Sequence, residues 1–391
     1  MKLFGKAAVI CAMACLAAGC GEPGAVRKGR EFLEMGDLSR ALAQLERAVS
    51  DNPRNAAAHF LLARAYCLCD SSALAVKEYS LLSQLDRQMA DDTLLRQKVS
   101  LYLGLEPYPS VRLTEARGND AFPCISGDGK RIAFSSKRDG NTELYVMTDG
   151  GEDQRRLTSN RAVDYGPSFS PDGLRLLFVS DRDGSDEIYL YDLSSGKERR
   201  LTYSKSDDWL PCFSPDGQEL FWVSDRSGRY AVWRMPLAPG SPKEENSSRV
   251  LFEDRAGEVA YFGLCSGRLM VQKECKNQSF LLSVNISDGR VDEIAIPSFR
   301  SGIPTIALPD GGSIAYVSTC DGNDEIYLYQ PDKKRSVRLT NNVSEDFVFG
   351  FSPDGQKMLY DSDRGGDRDV YLMRLDQLIT RDQLMSRITK L

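Results

Sequence analysis

The chain has 391 residues, 41% hydrophobic and 27% charged, with a formal net charge of −6. That is the composition of a globular protein of two or three domains, and it excludes wholesale disorder and a multi-span membrane protein. No dense basic patch occurs, so nucleic acid is not an expected partner, and the one histidine, His59, excludes every metal site that needs two and any His-dependent triad in which His59 is not the base.

Residues 1–20 read MKLFGKAAVICAMACLAAGC. Lys2 and Lys6 give a positive start, and the 12 residues Ala7 to Ala18 form an apolar run. That run is too short to cross a hydrocarbon core of about 30 Å as a helix, and a small-residue cleavage region follows it. Gly19-Cys20 at its end resembles the bacterial lipobox, although Leu16 stands one position earlier than usual, with Ala17 at the third position before the cysteine. The resemblance implies a signal peptide over 1–19 and lipid attachment at Cys20. The alternative is an ordinary secretory signal with a chance cysteine.

Seven further cysteines follow, at 67, 69, 124, 212, 265, 275 and 320. An odd number gives no clean disulfide framework, and no CxxC metal or redox motif is present, so they read as small buried hydrophobes.

Residues 20–106 form the second segment. Phe32, Leu33, Leu38, Ala41, Leu42, Leu45, Ala48 and Val49 recur at helical spacing, with breaks at Gly36-Asp37 and Asn52-Pro53. A shift of 34 residues places Gly29 on Ala63, Phe32 on Tyr66 and Ala41 on Ala75. This pattern resembles the tetratricopeptide repeat, which implies paired helices and either a peptide-binding groove or a spacer packed on its neighbour. His59 falls where such a helix carries a packing aromatic, so it reads as a core or rim residue.

From 107 to 375 the chain changes to short alternating strands cut by Gly, Asp and Pro turns. Asp-Gly pairs stand at 128–129, 172–173, 216–217, 310–311 and 354–355, in steps of 44, 44, 94 and 44. Ser266-Gly267 fills the slot inside the long step, and the polar insertion Pro239–Ser248 accounts for its extra length. Six four-stranded units follow. Leu-Thr closes the fourth strand at 157–158, 201–202 and 339–340, and the copy at 113–114 precedes the first unit. That copy is expected to complete the last unit and close a ring. The repeat FSPDGxxxxFxSDRDGxxEIYxxD resembles the TolB-type β-propeller over 108–375. The fold class expected is therefore α + β multidomain, with tetratricopeptide-type helices ahead of an all-β six-bladed propeller. The resemblance implies a periplasmic protein that works through protein partners.

Eight residues before each slot stand Asp120, Asp164, Asp208, Glu258, Gly302 and Asp346; ten after it stand Arg138, Arg182, Arg226, Lys276, Cys320 and Arg364. In an antiparallel meander the two sets share one end of the propeller. Acid and base are absent together in unit five, as mutual ion pairing would produce. The series reads either as structural rivets or as a charged rim that receives a partner at the Gly302/Cys320 gap, with its carboxylates drawing a basic peptide or a cation to the channel mouth.

Related propellers accompany serine peptidases, but no GxSxG nucleophile occurs here, and Asp181–Glu187 lacks the spacing of a calcium loop. No catalytic residue, metal site or cofactor is expected. Residues 376–391, with Leu378, Ile379, Met385 and Ile388, suggest a small helix packed on either domain. The leading expectation is a non-enzymatic, lipid-anchored envelope scaffold binding envelope proteins or peptides. The alternatives are a small-ligand or glycan-binding lipoprotein using the channel, and a propeller lyase.

Overall fold

The computed structural model describes residues 23–390, except 238–246, 255–256, 266, 276–277, 297–298 and 301. The chain divides into two units, one of residues 1–107 with 378–391 and one of residues 108–377.

The helical unit contains α1 (Gly24–Glu34), α2 (Leu38–Asp51), α3 (Ala56–Leu68), α4 (Ser72–Leu85), α5 (Arg87–Ala90), α6 (Thr93–Tyr102) and α7 (Arg381–Ile388). Asp37, Asn55 and Asp92 cap α2, α3 and α6, each accepting from a first-turn amide that has no helical partner. Gly29 is small because α1 and α2 cross there: a Cβ would stand 2.6 Å from the Leu45 side chain. The central helix, α3, buries Ala58, Leu61, Leu62, Ala65 and Tyr66. His59, on the same helix, is 2% exposed, with Nδ1 2.5 Å from the Glu78 carboxylate and Nε2 3.0 Å from the Pro53 carbonyl. It therefore ties three segments together by hydrogen bonds, where the repeat pattern led us to expect simple packing. The C-terminal helix belongs to this unit. Leu384 is fully buried in the helical core, and Ile379, Met385 and Ile388 pack against it.

The second unit is a propeller of six four-stranded antiparallel sheets. The first strands of blades one to six are Asp120–Ile125, Asp164–Phe169, Asp208–Phe213, Glu258–Cys265, Ile306–Ala307 and Asp346–Phe351. Each touches the next, and the sixth touches the first, so they form a closed inner ring. Blade six is completed by the N-terminal strand Ser110–Arg112, which pairs antiparallel with Asp369–Arg374 in the register Val111 opposite Leu372. The ring thus closes on hydrogen bonds between the two ends of the propeller chain, as the spacing of Leu-Thr predicts.

The aromatic alternation of the repeats has a packing reason. Facing positions on the second and third strands carry paired rings, stacked in Phe134 and Tyr145, Trp222 and Trp233, Tyr316 and Tyr327, and Tyr360 and Tyr371, and tilted in Phe178 and Tyr189. At the Asp-Gly end neighbouring turns abut, and a Cβ on Gly127 would lie 2.5 Å from the Pro171 carbonyl. Blade four departs from its neighbours. Its second and third strands run Arg268–Cys275 and Gln278–Asn285, which leaves only residues 276–277 to connect them; blade one has 137–142 there.

Candidate functional site

The loops that lead into each first strand, and those that join second to third strands, lie together at one end of the propeller. Four of the acid–base couples meet there, each within its own blade. Arg138 Nη2 is 2.8 Å from Asp120, Arg182 Nη2 is 3.0 Å from Asp164, Arg226 is bonded to Asp208, and Arg364 Nη2 is 3.0 Å from Asp346. Each arginine also donates from Nε to the serine ending the second strand: Ser136, Ser180, Ser224 and Ser362. Each guanidinium lies over a ring of the aromatic pair beneath it, Arg138 at 4.7 Å from the Tyr145 centroid and Arg182 at 4.4 Å from that of Tyr189.

The carboxylates of this series are fully buried. They are therefore not a solvent-facing ring, and the expectation that they focus charge on the channel mouth is overturned: each is spent on its own arginine under the loop. Burial pushes the carboxyls of Asp120 and Asp346 up, and that of Asp208 up to about 6, with the neighbouring arginine opposing the rise.

Blades four and five differ. Glu258 is exposed and stands in register opposite Glu274, where the other blades place a serine. Its expected partner Lys276 lies outside the described residues, as does Cys20. In blade five Gly302 has φ +73° and Cys320 occupies the arginine slot, exposed, with Sγ 3.2 Å from the Tyr327 hydroxyl. Gly302 is thus a backbone position that favours glycine as well as a missing acid.

A second buried series escaped the sequence reading. Glu143, Glu187, Glu325 and Asp369 begin the third strands of blades one, two, five and six and are fully buried. Arg156 reaches Glu143 at 2.7 Å, Arg200 reaches Glu187 at 2.8 Å, Arg338 reaches Glu325 at 2.6 Å and Arg112 reaches Asp369 at 2.5 Å. The threonine of each Leu-Thr pair accepts from a third-strand amide, and Thr114, Thr158 and Thr340 also donate to the carboxylate. Thr158 Oγ1 accepts from the Leu144 amide at 3.0 Å and donates to Glu143 at 2.6 Å; Thr340 repeats this with Ile326 and Glu325. Burial raises the Glu143 carboxyl, but bonds from Thr158, the Asn160 amide, Arg156 and Asn141 outweigh it and hold it below the ordinary range. The signal was present in the sequence. An arginine precedes every one of these Leu-Thr pairs, at 112, 156, 200 and 338, one repeat apart where blades adjoin.

The inner strands carry a third feature. Phe122 and Leu210 have φ +54° and +52° at the position where blade two has Gly166 at +62°. Each sits at a bulge in its first strand. The Phe122 ring, on a side chain 40% exposed, meets Tyr165 at 5.9 Å and Phe349 at 5.3 Å, and Trp209 meets Tyr230 edge-on. An aromatic lining thus stands at the loop end of the inner ring. Among the described residues no group of His, Cys, Asp and Glu is arranged to hold a metal ion, and no helix is long and apolar enough to cross a membrane.

Comparison with known proteins agrees with this geometry. Residues 97–208 match the family model of the TolB beta propeller domain, and residues 26–80 match that of the tetratricopeptide repeat. A TolB homolog of Chlorobium luteolum is 31% identical over 99 residues, which are 25% of this chain and 22% of that protein. The chain thus matches under a quarter of that relative's length. TolB from Acinetobacter baumannii superposes with a TM-score of 0.50 at 21% identity over 58% of this chain and 55% of that one. An oligogalacturonate lyase in complex with manganese gives 0.51 at 16% identity, over 69% and 94%. These two likenesses are of fold alone. The chain combines a TolB-like six-bladed propeller with N-terminal tetratricopeptide repeats.

Proposed function

We propose that the chain is a non-enzymatic scaffold of the bacterial envelope, on the periplasmic side, lipid-anchored through Cys20 at the outer membrane. It docks other envelope proteins or peptides at the loop end of its propeller, with blade five, at Gly302 and Cys320, as the centre of contact. The observation that carries this reading is the rim. In blades one, two, three and six the ionisable groups are buried against each other, which removes them from acid–base chemistry and makes the loops a rigid platform. The pattern changes in blade five, where Gly302 and Cys320 replace the homologous couple and the ion pair is instead Arg300 with Asp324. This leaves the Gly302/Cys320 position without a charge for an incoming segment to desolvate. The combination with tetratricopeptide repeats, and the likeness to a propeller whose relatives are named for the Tol-Pal system, supports a role in protein contact. The helical repeats serve as a second docking surface or as a spacer.

The test is capture of partners from envelope extracts by the full chain and by its Cys320→Arg variant. Arginine there sets an unpaired cation in the gap, and avoids substituting Gly302 at its positive φ. A discrete, stoichiometric partner lost in the variant, with an unchanged thermal melt, is the expected result. Undiminished capture moves the docking site elsewhere, to the helical repeats first.

The aromatic lining of Phe122, Tyr165, Phe349 and Trp209 favours a second reading, a small-ligand or glycan-binding lipoprotein. Calorimetric titration with neutral oligosaccharides separates the two, because a scaffold gives no heat with them.

A further inference from the structure

Blade six breaks the repeat at two positions at once. Seven residues after each slot stand Ser135, Val179, Val223, Lys273, Val317 and Asp361; fourteen after it stand Thr142, Asp186, Tyr230, Phe280, Asp324 and Arg368. Blade six alone sets an acid at the first position and a base at the second. The two are bonded: Arg368 Nη1 is 2.6 Å from Asp361, a residue 1% exposed. The other side of the guanidinium reaches Glu345 at 3.3 Å and lies 4.5 Å from the Phe347 ring centroid.

This pair stands where blade six meets blade one, the seam at which the ring closes. The Arg368 carbonyl accepts from the Asp120 amide at 2.7 Å, and the Arg368 amide donates to Asn119 Oδ1 at 3.3 Å. The next seam places Ser135 at the position of Asp361, and there the amide of Gly166, the counterpart of Phe122, donates to Ser135 Oγ at 3.1 Å. An ionisable group has therefore replaced a hydroxyl at the closing seam. By that equivalence it faces Phe122, whose left-handed backbone sets a large ring against Phe349.

We infer that Asp361 is a proton-responsive latch of the closing seam, coupling its ionisation to the placement of Phe122 at the channel mouth.

The charged groups around it leave it one counter-ion. Arg368 favours the carboxylate and Asp346 opposes it. Glu345 acts through Arg368, while Asp346, Asp120 and Asp369 are tied to Arg364, Arg138 and Arg112. Burial is the largest influence and pushes the Asp361 carboxyl up to about 7, with Arg368 resisting. The sign follows. Between the ordinary carboxylate range and about 7 the folded chain keeps a proton that the unfolded chain has released. The seam therefore loses stability as the pH rises through that window.

The experiment compares the full chain with Asp361→Asn and with Asp361→Ser, the residue blade one uses. Thermal midpoints are recorded from pH 5 to 8, along with hydrogen-exchange protection of residues 118–125 corrected for the intrinsic rate. The wild type should lose midpoint with rising pH more steeply than either variant, and protection around Phe122 should fall by about tenfold or more across the window in the wild type alone. Arg368→Met should steepen the wild-type slope, because the carboxylate then ionises without its counter-ion. Equal slopes in wild type and Asp361→Ser overturn the latch. A slope that vanishes in the variants while the wild-type protection stays constant with pH overturns the coupling to Phe122.

Discussion

Blades one and two hold both the outer Asp–Arg rivet and the inner Glu–Arg pair, and blades four and five each lack part of this. In blade two, Arg182 is bonded to Asp164, stacked on Tyr189 and joined to Ser180, while Glu187 takes Arg200. In blade five the Glu325–Arg338–Thr340 cluster survives, but the Asp–Arg rivet is gone. Blade four lacks the inner cluster, since Leu281 stands where the glutamate would be, and its Glu258 is exposed opposite Glu274, with Lys276 outside the described residues. The inner cluster and the outer rivet are therefore separable devices. A blade folds without the rivet when aromatic packing persists, as with Tyr316 on Tyr327 in blade five. What the rivet adds is a loop held in one place.

The comparison can be broken most severely by orphaning a buried carboxylate. Arg226→Met leaves Asp208 buried without its cation and should cost about 3–5 kcal/mol at pH 8 by denaturant unfolding. The Asp208 carboxyl is already raised to about 6, so at pH 5 it is protonated and the loss should be smaller. Equal losses at both pH values would mean that the arginine acts by packing alone.

Thr158→Val tests the inner cluster. It strands the buried Leu144 amide and removes one bond to Glu143, for an expected loss of about 1–3 kcal/mol. A neutral outcome would show the threonine to be incidental to the third strand.

A gentler probe is Glu143→Gln. The carboxyl of Glu143 is held below its ordinary value, so it contributes stability above that value and loses it as pH falls. The variant should unfold in acid with a shallower pH dependence than the wild type, and an unchanged acid limb would remove Glu143 from the account.

The smallest effect is expected in blade four. Glu258→Gln should shift stability by no more than about 0.5 kcal/mol, because its carboxylate is exposed. A loss as large as that of Arg226→Met would place Glu258 in the same series as Asp208 after all.

The repeat length, the six units, the helical pairs ahead of them and the closing role of residues 111–114 were all legible in the amino-acid order. Each rests on a short-range rule: glycine at turns, alternation along strands, small residues at helix crossings. The joint absence of Gly302 and Cys320 from the acid–base series also pointed to pairing between those slots. Burial of the rivets was not legible, because Asp120 and the exposed Glu258 fall at the same place in the repeat, and what covers them depends on the facing strand, which sets Ser136 opposite one and Glu274 opposite the other. Nor was His59, whose partners Glu78 and Pro53 lie on other segments. Periodicity determined which residues repeat. The tertiary structure alone decided which of the repeated charges leave water, since desolvation depends on what the neighbouring strand and loop place over a side chain.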